Sequence, residues 1–328
     1  MVEAEQIPTT TPPAEQTRTN EPRKLVEIIV SQLETLRTHH SAVLETGAVE
    51  AIHKMRVTTR RLQASLDLLA REMKVRKLKR LLRNWRRKLS SVRNYDVFLE
   101  LIEKEAASRG RTRRQQLELV KTILQEKRLQ RAAKVATFLQ AINIDTIAIG
   151  LGLSGATVEP ASETMVIDEK RVAAYAAERL DQRLAEFQAL AALSHPTNNP
   201  AELHQLRIAA KRVRYLLEIV QEMGFGNASR ALTWLRTLQD RIGDWHDLEA
   251  LEEEIIAIVS APEFLKDHLA ESSQMLNAAA HLQKKKEALV LRLFPVRVPR
   301  YVEITSHRIA RALRRQSIRS LTPPRSSD

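Results

Sequence analysis

The sequence contains no cysteine. That excludes a disulfide framework, Cys-ligated zinc, an iron–sulfur cluster and a thiol nucleophile. Glycine is scarce, with 8 in 328 residues, and Phe, Trp and Tyr together make up only 4 %. An all-β protein needs turn glycines and cross-strand aromatic pairs, so both shortages favour helices. No apolar run approaches the ~18 residues of a membrane-spanning helix. The opening segment MVEAEQIPTTTPPAEQTRTNEP lacks the apolar stretch of a secretory signal. No GxxxxGK[ST], HExxH, GxSxG or kinase signature occurs. The expectation is a cytoplasmic, all-α protein of one large domain or two smaller ones, with no catalytic residue, metal or cofactor.

Charge is what the chain has in excess. Lys and Arg number 53 against 40 Asp and Glu, a net charge of +13. The surplus is concentrated: Arg71 to Arg93 holds eleven cations and one acid, Glu72, and Arg297 to Arg319 holds seven arginines and one acid, Glu303. Such blocks point to a polyanionic partner: nucleic acid, an anionic membrane or an inorganic phosphate polymer. A solvated basic helix face is the plainer alternative.

Residues 1–23 are polar and rich in Pro and Thr, which predicts disorder. A helical period begins at Leu25 and continues with Ile28, Ile29, Leu33 and Leu36. Further helices are predicted over about 50–72 and 76–92, from near Asp96, and over about 113–142. Residues 143–162 carry three of the eight glycines and no Lys or Arg, and break the pattern. Periodicity resumes at Arg171 and lasts to Leu293. A short basic helix (about 304–315) then precedes a Pro/Ser tail. The resulting division is a first helical repeat at 24–145, a linker at 146–166, a second repeat at 167–294 and a basic C-terminal tail at 295–328.

The division rests on an internal repeat. AIHKMRVTTRRLQASLDLL (51–69) aligns with ELHQLRIAAKRVRYLLEIV (202–220) at an offset of 151 residues. His53/His204, Arg56/Arg207, Arg61/Arg212 and Leu66/Leu217 are identical, and Arg60/Lys211 is conservative. A second block aligns at an offset of 153, LSSVRN (89–94) with IGDWHD (242–247), pairing Arg93 with His246. Two blocks in one order at nearly one separation describe a duplicated helical bundle.

A helix turns about 100° per residue, so with His53 at 0° Arg56 falls at about 300° and Arg60 at about 340°. Ile52, Met55, Leu62 and Leu66 occupy the opposite face, while Val57 and Leu68 lie beyond the cationic stripe. The second copy repeats this with His204, Arg207, Lys211 and Arg214. Apolar residues on both sides of the stripe imply that the helix is covered on more than one side, so its cations line a cleft or pore. Crowding them there costs hydration and Coulomb energy. Both copies nevertheless keep His-x-x-Arg-x-x-x-[Arg/Lys]-Arg, which favours an anion-binding role. Asn199, Pro200 and Glu202 can begin the second helix, placing His204 in a rigid early turn.

The paired motifs, each followed by L-[S/G]-x-x-[R/H]-[N/D], resemble the CHAD domain (conserved histidine α-helical domain). The resemblance spans about Leu25 to Leu293. It implies two antiparallel four-helix bundles related by a pseudo-twofold axis, with a basic cavity between them. It also implies inorganic polyphosphate as ligand, in some members at polyphosphate granules. Carried onto this sequence, the binding residues are His53, Arg56, Arg60, Arg61, His204, Arg207, Lys211, Arg212 and Arg214. Ser90, Asn94 and Gln63 depart from the family's usual Gly, Asp and Arg, which weakens the first copy's cavity. The E-x-E-x-K signature of a companion triphosphate-tunnel (CYTH) domain is absent.

Other signals are weaker. Gly150-Leu-Gly152-Leu-Ser-Gly155 spells GxGxxG, with Ile147–Ile149 as a strand mimic. No helix is signalled at the third glycine, so it reads as linker. Asp240, Asp244 and Asp247 could share a helix face and hold a divalent metal, but orienting the basic side chains is the simpler role. Trp85, Trp234 and Trp245 sit among apolar neighbours and read as core rather than as base-stacking platforms. The reading is a non-enzymatic polyphosphate-binding protein. Its rivals are a nucleic-acid-binding helical protein and a metal-dependent polyphosphate-processing enzyme.

Overall fold

The computed structural model describes residues 24–107, 111–154, 159–160, 167–194 and 200–318. The polar segment 1–23, Asn199, Gly155 and the Pro/Ser tail beyond Ile318 lie outside the described residues.

Within them the chain is all-α, as its composition dictates. The helices are α1 (Leu25–Thr46), α2 (Val49–Leu68), α3 (Arg76–Ala107), α4 (Arg111–Gln140), α5 (Asp145–Gly150), α6 (Glu169–Leu193), α7 (Pro200–Glu222), α8 (Ser229–Val259), α9 (Pro262–Asp267), α10 (Leu269–Leu293) and α11 (Arg300–Ile318). Two-residue strands β1 (Leu153–Ser154) and β2 (Glu159–Pro160) pair antiparallel. Local chemistry marks the ends. Gly47 closes α1 at φ +56°, a left-handed position, and its N–H returns to the Val43 carbonyl at 2.9 Å. The Asp168 carboxylate accepts from the Lys170 and Arg171 amides and caps α6.

Three sequence expectations change here. No helix starts near Asp96: α3 runs unbroken to Ala107, because Leu89, Val92, Tyr95, Phe98 and Ile102 continue one buried stripe. Neither Gly nor Pro interrupts it there. The stretch read as a linker from 146 begins as packed structure, with Ile147, Ala148, Leu151 and Leu153 in the core. Ile147–Ile149 belongs to α5, and a Cβ added at Gly150 would meet Leu78 Cδ2 at 2.7 Å. That glycine serves close packing of α5 on α3. The third change is the basic tail. Arg300–Ile318 is a full helix that buries Val302, Ser306, Ile309, Ala310 and Leu313.

Helices α1 to α4 pack each on the next, and α4 returns to α1. In the second half α6, α7 and α8 do the same, and α11 completes the group by lying along α6 and touching α8. Helix α10 packs instead on α8 and on α4 of the first half. The hydrophobic cores do not follow the halves. One core joins Leu33, Leu62 and Leu82 to Leu180, Val213 and Leu313. The other joins Phe98 and Leu124 of α3 and α4 to Ile255 and Leu282 of α8 and α10. The halves therefore meet through α2 and α7, through α3 and α8, and through α4 and α10.

Candidate functional site

A cleft of about 980 Å³ opens between α2 and α3 on one wall and α7 and α8 on the other. The amphipathic pattern of α2 and α7 creates it. Ile52, Met55, Leu62 and Leu66 on α2, and Leu203, Leu206, Val213 and Leu217 on α7, are buried, which turns the cationic stripes toward each other. His53, Arg56 and Arg60 line the cleft with His204, Arg207, Lys211 and Arg214, and Arg212 contributes to the lining as well.

Arg61 does not. Eight residues beyond His53 it is rotated by about 80°, off the stripe. It is exposed and its Nε stands 3.8 Å from Glu218 Oε2. Arg212 has the same register on α7 and is also largely turned outward, its Nη1 donating to Glu186 Oε1 at 2.8 Å.

Helices α3 and α8 add residues that were not among the expected binding residues: Arg86 and Arg93 from α3, and Arg236, Gln239 and His246 from α8. The alignment of Arg93 with His246 was the one sequence signal for them. Arg86 Nη1 donates to Gln63 Oε1 at 2.7 Å, and Arg214 Nε donates to Gln239 Oε1 at 2.9 Å. Gln63 aligns with Arg214, and Arg86 with Gln239, in the two registers of the repeat. Each half thus keeps an Arg–Gln pair with the roles exchanged between helices. At the level of Gln63 the first half's cation comes from α3, while Ser90 and Asn94, the other two departures, also line the cleft.

Counter-charges are unevenly placed. Glu218 takes Arg214 Nη1 at 2.7 Å and Arg236 Nη2 at 3.5 Å, and so neutralises one end of the α7 stripe. Its counterpart Asp67 meets Lys79 and, at 3.2 Å, Arg183. Among the described residues, no carboxylate lies within ion-pair distance of Arg56, Arg60, Arg93, Arg207 or Lys211. The buried Nε atoms of Arg56 and Arg207, matched positions of the repeat, have no hydrogen-bond partner. A buried donor without an acceptor carries its full desolvation penalty.

The electrostatics record the crowding. Burial, reinforced by Arg207, Arg60, Arg56 and Arg214, pushes the Lys211 ammonium down to about 6. Burial, with Arg207, His204 and Lys211 adding, pushes His246 down to about 4. His53 and His204 are lowered by burial first, then mainly by Arg93 and Arg207 respectively. The His204 and His246 rings lie 5.6 Å apart, centroid to centroid. The site is short of negative charge, which is what an anion would bring.

Asp240, Asp244 and Asp247 line the α8 wall. Asp247 sits by Arg207: its carboxylate favours that guanidinium, while its own burial raises it above the usual range. Burial and then Asp240 raise Asp244. Among the described residues no group of three or more His, Asp or Glu side chains is arranged to hold a metal ion. Here the acids act as partial counter-charge at one wall.

Comparison with known proteins identifies the family and the fold. The family model of the CHAD domain matches residues 27–255. The crystal structure of the CHAD domain from the plant Ricinus communis superposes with a TM-score of 0.61 at 20 % identity, covering 84 % of this chain and 92 % of that one. PptA from Streptomyces chartreusis gives a TM-score of 0.56 at 15 % identity, covering 82 % and 97 %. Identities this low speak for a shared fold. No curated protein matched the sequence. With its helical fold, its repeated His/Arg stripes and a family match over more than half its length, the chain belongs to the CHAD domain family.

Proposed function

We propose that the cleft binds inorganic polyphosphate and does not turn it over, and that the protein works in the cytoplasm, at polyphosphate granules. The observation that carries this reading is the pair Arg56 and Arg207, half-buried on facing helices, whose buried Nε donors no described protein acceptor satisfies. Leaving several cations unneutralised between two walls is costly unless an anion joins them. Polyphosphate carries roughly one charge per unit, and successive units can engage stripes from both walls, so modest contacts add as avidity. Arginine offers a forked donor, lysine a point charge and histidine a donor that protonation strengthens. The polyphosphate link implied by the CHAD resemblance agrees with this chemistry.

Nucleic acid fits less well. Trp85 and Trp245 are buried in the core, and the Tyr215 ring is covered by the Arg214 guanidinium at 4.4 Å. Among the described residues no row of exposed Phe, Tyr or Trp rings is left in the cleft for bases to stack on. A competition titration of long polyphosphate against single-stranded and duplex DNA at physiological salt tests the reading. Polyphosphate should win by at least an order of magnitude, with its chain length unchanged after incubation with Mg²⁺ or Mn²⁺. Preference for DNA would overturn the ligand, and shortened chains would overturn the absence of catalysis.

A further inference from the structure

A second basic hollow lies where α11 meets the turn between α7 and α8. Phe225, Arg308, Arg311, Ala312, Arg315 and Gln316 line about 570 Å³, and none of these residues belongs to the cleft. Arg308, Arg311 and Arg315 stand at i, i+3 and i+7, one stripe about 10 Å long. Burial of Val302, Ile309, Ala310 and Leu313 against the bundle fixes which face of α11 carries that stripe.

Two neighbouring basic side chains of α11 meet a carboxylate. His307 and Arg314 both meet Asp181, and Glu303 accepts from Gln188 at 2.7 Å. The three hollow arginines are not matched. Among the described residues Arg308 reaches only the Asn227 carbonyl at 3.3 Å, and Arg311 only the His307 carbonyl of its own helix at 3.4 Å. Among the described residues no carboxylate lies within ion-pair distance of Arg308, Arg311 or Arg315. From Ile304 to Ile318 the helix carries no acid. A face kept only for solubility would interleave both signs, since acids at i±4 stabilise an exposed arginine.

We propose that this hollow is a second anion site that holds a linear run of phosphates, and that one long polyphosphate chain occupies it together with the cleft. The ligand class rests on the polyphosphate reading of the cleft; the existence of an anion site here does not. The hollow is concave and offers a single half-buried ring, Phe225, which suits a thread-like anion better than a row of stacked bases. Once a chain is held at one site, capture at the other becomes intramolecular. The hollow's arginines are exposed, so their share of affinity falls faster with salt than that of the cleft.

The test is calorimetric titration of the full chain with two polyphosphates, one too short to span both sites and one long. The parent chain should bind two short chains. Arg308→Ala/Arg311→Ala/Arg315→Ala should bind one short chain and lose at least tenfold in affinity for the long one. Alanine at exposed helical positions keeps α11 helical, and Arg308→Gln/Arg315→Gln is a milder second variant that should show the same loss in part. If both variants match the parent chain with both ligands, the hollow is no site. If Arg56→Gln/Arg207→Gln still binds one short chain, and adding the hollow substitutions removes it, the proposal holds. Should Arg56→Gln/Arg207→Gln change nothing while the hollow variant loses all binding, the cleft reading fails and the hollow stands. Displacement of short polyphosphate from the hollow by equal single-stranded DNA would overturn the ligand class.

Discussion

Arg86 on α3 donates to the Gln63 side chain on α2 at 2.7 Å, and the second half makes the mirrored bond from Arg214 on α7 to Gln239 on α8. One cation per half is held at this level of the cleft, whichever helix supplies it. Arg86→Gln should therefore weaken polyphosphate binding about tenfold, the loss of one charge-assisted contact of roughly 1.4 kcal/mol. The double variant Gln63→Arg/Arg86→Gln should recover most of it. Titration of the two variants decides the matter: no recovery would mean that position on α3 counts and the Arg–Gln pair does not.

Arg56→Gln and Arg207→Gln separate binding from folding. Each removes a half-buried cation that repels its neighbours, so each should lower polyphosphate affinity at least tenfold while the ligand-free Tm stays level or rises. Thermal melts with and without polyphosphate provide both readings. A lower ligand-free Tm with unchanged affinity would make these arginines structural.

The pH dependence follows from Lys211, which titrates near 6 in the free protein against 10.5 ordinarily. Between those values the folded chain holds one proton fewer than the unfolded chain, so ligand-free stability rises with pH across that window. A bound polyanion restores the missing counter-charge and raises Lys211 again. Binding above pH 6 then takes up a proton, and affinity falls by up to about tenfold per pH unit as pH rises. The lowered His53, His204 and His246 carry the same trend to lower pH, each gaining a proton as ligand arrives. Calorimetry in buffers of different ionisation heat should show uptake of about one proton near neutrality in the parent. Lys211→Arg should abolish most of that uptake, and an unchanged value would exclude Lys211 as its source.

Removal of residues 295–328 should unfold the second half rather than trim a tail. Val302, Ile309 and Leu313 are fully buried, each worth about 1.5–3 kcal/mol of burial. The single substitution Leu313→Ala should cost about 2–5 kcal/mol. Denaturant melts followed by circular dichroism measure both. A truncated chain with the parent's midpoint would show that α11 contributes nothing to the core.

The helical class and the facing stripes were legible because both rest on local period. Ile52, Met55 and Leu62 alternate with His53, Arg56 and Arg60 at a spacing that only a helix resolves into two faces. Helix α11 was half-hidden for a compositional reason. Its buried stripe includes Ser306 and Ala310, small residues that register weakly beside five arginines, so the segment reads as charge. Arg86 was invisible as a cleft residue, and Arg93 was marked only by its alignment with His246, because eleven cations between 71 and 93 look alike in sequence. Which of them face inward depends on how α3 lies against α2 and α8. The break placed near Asp96 failed because aligned motifs end there while the apolar period does not.

The shared cores bear on how the chain can be cut. Phe98 and Leu124 find their apolar neighbours on Ile255 and Leu282, more than a hundred residues away. A fragment ending before α6 would expose that surface to water, and so would its complement. Two such pieces should be insoluble singly yet rescue each other when co-expressed, as halves of a reporter do. Polyphosphate, gripping both walls, would then act as the glue that reports their reunion.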